Sequence, residues 1–235
     1  MRILIFDKVS STMDIAWKLV KRGIGEWTII MAREQYAGRG RYGRMWISPT
    51  GGLWMSIVFS KKLLSREALL RSHFVSPLAI TRVIEEIYGI RSYIKWPNDV
   101  VIEGKKVAGV LVESKTKGYK IEGIVVGMGI NTNIETDPTP GATSLFKITN
   151  KRVDNVEFGK KVFGEFLKLL CYRDYLGEYK SRLETLGREV VLSTYRGVVQ
   201  GKVIDIDNNY TIIIKDKNNK KYNIDYFSVI KLNYV

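Results

Sequence analysis

The sequence of 235 residues predicts an α+β fold that ends in a small all-β unit. Two observations carry this. Up to about residue 186, strand-like apolar stretches are interleaved with segments whose apolar residues recur at helical spacing. From Gly187 onward, five short β-rich segments with close turns fill the rest of the chain, the pattern of a small barrel.

The elements follow in order. Residues 3–6 read as a first strand. A helix runs from Thr12 to about Arg22, with Ser10, Ser11 or Thr12 as N-cap and Gly23 past its end. Its apolar face is Ile15, Ala16, Leu19 and Val20. Strands at 27–32 and 53–59 flank a segment dense in glycine and arginine. An amphipathic helix is expected over 74–88, and strands over 93–96, 100–102, 106–114 and 119–128. Residues 137–141 are a loop, and 155–186 form a helical region. The C-terminal strands cover 190–195, 198–205, 210–215, 221–225 and 229–232. Asn208-Asn209 and Asn218-Asn219 fit hairpin turns, because asparagine tolerates the left-handed conformation. The expected domains are therefore 1–186 and 187–235.

Hydrophobic residues make up 45% of the chain and charged residues 26%, the balance of a globular protein. No apolar run approaches the roughly 18 residues of a membrane span. The first apolar residues are too few, and too soon followed by Asp7 and Lys8, for a signal peptide, so a cytoplasmic protein is expected. One cysteine, Cys171, excludes an intramolecular disulfide, and one histidine, His73, argues against a Cys/His zinc site. Both read as structural. A net charge of +14, most of it in residues 1–186, suits nucleic acid, nucleotide phosphates or an acidic protein partner without choosing among them.

Four clusters carry the chemistry. Gln35-Tyr-Ala-Gly38-Arg39-Gly40-Arg41-Tyr42-Gly43-Arg44-Met45-Trp46 alternates glycines, which let backbone amides approach a ligand, with arginines that hold phosphate or carboxylate oxygens. It matches neither a Walker loop nor a Rossmann fingerprint. A solvated basic loop or an Arg-Gly nucleic-acid contact explains it as well. Lys95-Trp96-Pro97-Asn98-Asp99 is a turn whose lysine and carboxylate could orient a ligand. Lys106 enters an apolar strand and needs an anion or solvent, while Gly109 leaves room for a ligand or another backbone. Gly127-Met128-Gly129-Ile130-Asn131 closes a strand with an amide able to bond a base or sugar.

In this order and spacing the four clusters resemble the biotin–protein ligase family over essentially residues 3–235. The resemblance implies a mixed sheet with flanking helices, of the class II aminoacyl-tRNA synthetase and biotin ligase type, plus an SH3-like C-terminal barrel. It implies a short form whose chain opens at the first catalytic strand, with no DNA-binding module and no repressor role. The implied reaction joins biotin to ATP with Mg2+, releases pyrophosphate, and passes biotin to a lysine of a biotin carboxyl carrier domain. A homodimer is implied as well. Ser11, Thr12, Met13, Gln35, Gly40, Trp54 and Gly109 fall at biotin positions, shared with Arg39, Arg41 and Lys106. Arg39, Arg41, Arg44, Trp46, Lys95, Asn98, Asp99, Gly129 and Asn131 fall at ATP positions. Arg39, Lys106 and Asp99 are the catalytic candidates, and Asp99 is the candidate for the metal that rides on the ATP phosphates. Met13 departs from the family's asparagine, and a thioether cannot replace an amide's hydrogen bonds. A basic nucleic-acid-binding relative, or a ligase for another acid such as lipoate, is the alternative.

Overall fold

The structure, a computed structural model, describes residues 1–24, 26–171 and 174–235. Its larger sheet contains seven strands: β1 (Arg2–Val9), β2 (Thr28–Gln35), β3 (Leu53–Val58), β4 (Tyr93–Lys95), β5 (Asp99–Ile102), β6 (Lys105–Lys117) and β7 (Lys120–Ile130). They are ordered β1-β2-β3-β7-β6-β5-β4. Only β1 and β2 run parallel, so the sheet is mixed, as expected.

Helix α1 (Thr12–Lys21) covers one face. Ser11 is its N-cap, accepting from Met13 N, and Met13, Ala16 and Trp17 pack with Ile30, Val58 and Val125. The other face takes α2 (Arg66–Tyr88) and α4 (Asn155–Cys171), with the short α3 (Leu145–Thr149) and α5 (Leu176–Ser181) beside them. Helix α2 starts eight residues before the expected position. Ser65 caps it at Ala68 N, but its first turns are largely exposed and carry no apolar stripe for a sequence reading to find. The helical region expected over 155–186 breaks into α4 and α5, and its residues 172–173 lie outside the described residues. No helix among the described residues is long and apolar enough to cross a membrane.

Strands β8 (Glu189–Thr194), β9 (Gly197–Ile206), β10 (Thr211–Lys215), β11 (Lys221–Asp225) and β12 (Val229–Tyr234) form a second, antiparallel sheet ordered β11-β10-β9-β8-β12. The turn chemistry differs from expectation at one hairpin. The left-handed residue before β10 is Tyr210 (φ 65°), not an asparagine, because Asp207 Oδ1 fixes the turn by accepting from Asn209 N and Thr211 N. At the next hairpin Asn219 does adopt the left-handed conformation, with a φ of 63°.

Candidate active site

A cavity of about 300 Å³ opens over the middle of the larger sheet, at the N-terminal end of α1. That volume is at the small end of the range typical for ligand pockets. Every candidate residue named from the sequence lines it except Asn131. Asn131 is buried behind it, its amide donating to Thr143 O at 3.0 Å and so tying the end of β7 to the loop before α3.

One wall is a chain of neutral hydrogen-bonding groups. Thr12 N and Oγ1 both donate to Gln35 Oε1, at 2.8 and 3.1 Å, and Thr12 Oγ1 also meets Ser56 Oγ at 2.7 Å. Gln35 Nε2 donates to Ser48 Oγ at 2.8 Å. These bonds fix the rotamers of Thr12 and Gln35 before any ligand arrives. Ser48 and Ser56 were not legible as site residues, since their place depends on strand pairing across the sheet. Met13 also lines the wall: a Cβ on Gly127 would fall 2.7 Å from its Sδ, so glycine there makes room for the thioether.

The cations come from three places. Arg39, on the loop after β2, is held by the carboxylates of Asp14 and Glu113. Partial burial opposes its charge, the two acids outweigh that, and its pKa is raised. Trp17 Nε1 donates to Glu113 Oε2 at 2.6 Å and orients that acid. Lys106 finds the anion the sequence demanded in Asp99, with Nζ 2.6 Å from Oδ1. A regular strand would turn Lys106 and Gly109 to opposite faces. The register of β5 on β6 shifts between Val100 and Val101, which adds a residue to β6, and both line the cavity. Lys95 lies under the ring of Tyr234, 4.4 Å from its centroid.

The room at Gly109 and Gly129 is taken by a side chain. The indole of Trp46 lies against both glycines, 2.8 Å from where a Cβ on Gly109 would stand. Lys106 Nζ is 4.8 Å from the indole's centroid, and Trp54 meets it edge-on at 6.5 Å. Residues 229–232 of β12 complete the lining, a contribution from far along the chain that no local pattern announced. Asp99 is the one carboxylate on the cavity wall, and no group of three or more potential metal ligands exists among the described residues. The site therefore does not fit a resident metal ion.

Comparison with known proteins gives consistent relatives. The profile described as the biotin/lipoate A/B protein ligase family matches residues 5–131. The bifunctional ligase/repressor BirA of Bacillus spizizenii is 31% identical over 228 residues, covering 89% of this chain and 68% of the relative. The biotin–[acetyl-CoA-carboxylase] ligase of Paracoccus denitrificans is 32% identical, covering 88% of this chain and 92% of the relative. Among solved structures, the biotin protein ligase of Aquifex aeolicus in complex with biotin and ATP superposes with a TM-score of 0.86 at 30% identity, covering 100% of this chain and 99% of that one.

Proposed function

The chain belongs to the biotin/lipoate A/B protein ligase family, and from that membership we propose that it is an ATP-dependent biotin–protein ligase. One observation carries the reading to this site: the cavity combines a pre-bonded neutral wall, suited to a ureido head group, with Lys106 and the arginines of the loop, suited to two anions.

In the first half-reaction a carboxylate oxygen of biotin attacks the α-phosphorus of ATP, pyrophosphate leaves, and biotinyl-5′-AMP forms. No base is required, because the nucleophile is already ionised. The obstacle is bringing two anions together, and Lys106 and Arg39 offset it by standing where charge accumulates. Asp99 orients Lys106 through their ion pair. Mg2+ arrives on the nucleotide, where it neutralises the phosphates. Arg44, Trp46, Lys95, Asn98 and Gly129 border the nucleotide, while Ser11, Thr12, Met13, Gln35 and Trp54 border biotin. In the second half-reaction the neutral amine of an acceptor lysine on a biotin carboxyl carrier domain attacks the mixed anhydride, AMP leaves, and the amine gives up its proton. We assign the enzyme to the cytoplasm and to a homodimer built on the larger sheet.

Incubation with ATP, Mg2+, labelled biotin and a carrier domain tests this directly. Biotin-dependent pyrophosphate release and labelling of the carrier are expected. Faster release with lipoate than with biotin would overturn the choice of acid. In Lys106→Ala, adenylate formation is expected to fall about 100-fold or more with the fold intact. Activity within a few-fold of the parent would remove Lys106 from the reaction.

A further inference from the structure

Three side chains of the loop after β2 leave it toward one stretch of the C-terminal sheet. Arg41 Nη2 donates to Val229 O at 2.7 Å and Tyr226 O at 3.2 Å, and its guanidinium lies 4.3 Å from the centroid of the Tyr226 ring. Tyr42 Oη donates to Val229 O at 2.6 Å, and Arg44 Nη2 donates to Ile230 O at 3.2 Å. These carbonyls are available for a reason. The pairing of β12 with β8 shifts register between Val229 and Lys231, so the strand is irregular where the loop meets it. Tyr226 is fixed from behind, with ring centroids of His73, Tyr210 and Trp96 at 4.3, 5.1 and 6.4 Å.

The loop is shaped to make these contacts. Arg39 bridges Met45, and Gly40 N donates to Arg44 O at 2.7 Å, closing a small hairpin around a turn at Arg41–Gly43. Tyr42 at its tip holds a φ of 57°. That region costs a non-glycine residue on the order of 1–3 kcal/mol and persists only where the surroundings impose it. Here the anchored hydroxyl, the Arg41 guanidinium beside the ring and the edge of Tyr195 impose it. Although Arg41 borders the cavity, the same Nη2 has three acceptors within the protein: Tyr42 Oη, Tyr226 O and Val229 O.

We infer that Arg41 and Tyr42 are positioning residues that latch the loop onto Tyr226 and Val229, so that the C-terminal sheet holds the loop over the cavity. Arg41 then acts on the reaction through the loop and not as a phosphate ligand. The link to catalysis rests on the ligase reading; the latch itself does not.

Arg41→Lys and Tyr42→Phe test it, since both keep every trypsin site of the loop. Lysine keeps the charge but loses the planar fork and the stacking. In the ligand-free full chain, trypsin cleavage within residues 39–44 is expected to accelerate about tenfold in Arg41→Lys and a few-fold in Tyr42→Phe, with unchanged melting temperature. With biotin and ATP, release of the adenylate is expected to quicken by similar factors while KM for ATP stays within about twofold. A loop as resistant as the parent's in both variants overturns the latch. A raised KM for ATP with a protected loop makes Arg41 a phosphate ligand and also overturns it. An exposed loop with unchanged adenylate lifetime overturns the positioning role. If no form makes adenylate and the loop still opens as expected, the latch stands and the ligase reading falls.

Discussion

His73 shows how one residue's chemistry is set by parts of the chain that sequence cannot place beside it. It is the chain's one histidine, read as structural from its unremarked surroundings, and the structure puts it 98% out of solvent's reach among Tyr210, Tyr226 and Phe227. Burial first, and the nearby Arg41 second, depress its pKa to about 3. In the unfolded chain it titrates near 6.5. The unfolded state therefore gains the proton first as pH falls. The stability linked to the neutral imidazole is complete above about pH 6.5 and is lost on the way down to about 3, at a rate approaching about 1.4 kcal/mol per pH unit. The depressed carboxylates, Glu165, Glu178 and Asp205, start from model values of 4.5, 4.5 and 3.8 and make their contribution at lower pH. Calorimetry between pH 7 and 5 is expected to show a falling melting temperature that flattens in His73→Phe. A slope of the same size in that variant would assign the proton to another group. The same limit applies to the loop arginines. Their glycine-spaced pattern identified an anion site from sequence, but it could not distinguish Arg39, held by Asp14 and Glu113, from Arg41, turned to backbone carbonyls.

At the scale of elements, most strands were legible because apolar and β-branched residues mark them locally. What was not legible is how the strands meet. The register shift that brings Lys106 and Gly109 to one wall has no signature in the residues themselves. Nor did the glycines of β6 and β7 reveal that their free space belongs to Trp46. That packing gives a prediction. A methyl on Gly129 would overlap the indole, so Gly129→Ala is expected to displace Trp46 and slow adenylate formation about tenfold or more in a folded protein. Gly164→Ala is the matched control: nothing lies within 4 Å of its added Cβ, and α4 contains it. Alanine there is expected to raise stability by about 0.5–1 kcal/mol in urea titrations, with unchanged activity. Parental adenylate formation in Gly129→Ala would show that the Trp46 slot is not required for the chemistry.

For the whole molecule, the change of character at Gly187 marked a boundary between 1–186 and 187–235, and strand lengths and turns do change there. The apolar core does not divide at that point. Val190, Leu192, Val203, Ile212, Tyr210 and Tyr226 belong to the same buried cluster as Phe74, Trp96 and Ile94. Tyr210 reaches across to hydrogen-bond Pro97 O, in the turn that leads to Asp99, and its ring meets Phe74 at 4.4 Å. Thr185 Oγ1 accepts from Trp96 N at 2.9 Å, so the segment just before Gly187 is stitched to β4. We propose that the C-terminal sheet is a necessary wall of one core and that the chain unfolds in one transition. All five tryptophans, at positions 17, 27, 46, 54 and 96, precede Gly187. Their fluorescence reports the first unit alone, while far-UV circular dichroism reports both. The two signals are expected to trace a single urea transition in the full chain. A fragment ending at residue 186 would expose Trp96 and Phe74, and it is expected to show red-shifted emission without a cooperative transition. If that fragment instead melts as sharply as the parent, the boundary separates two independent folding units, and the C-terminal sheet is an attachment and not part of the core.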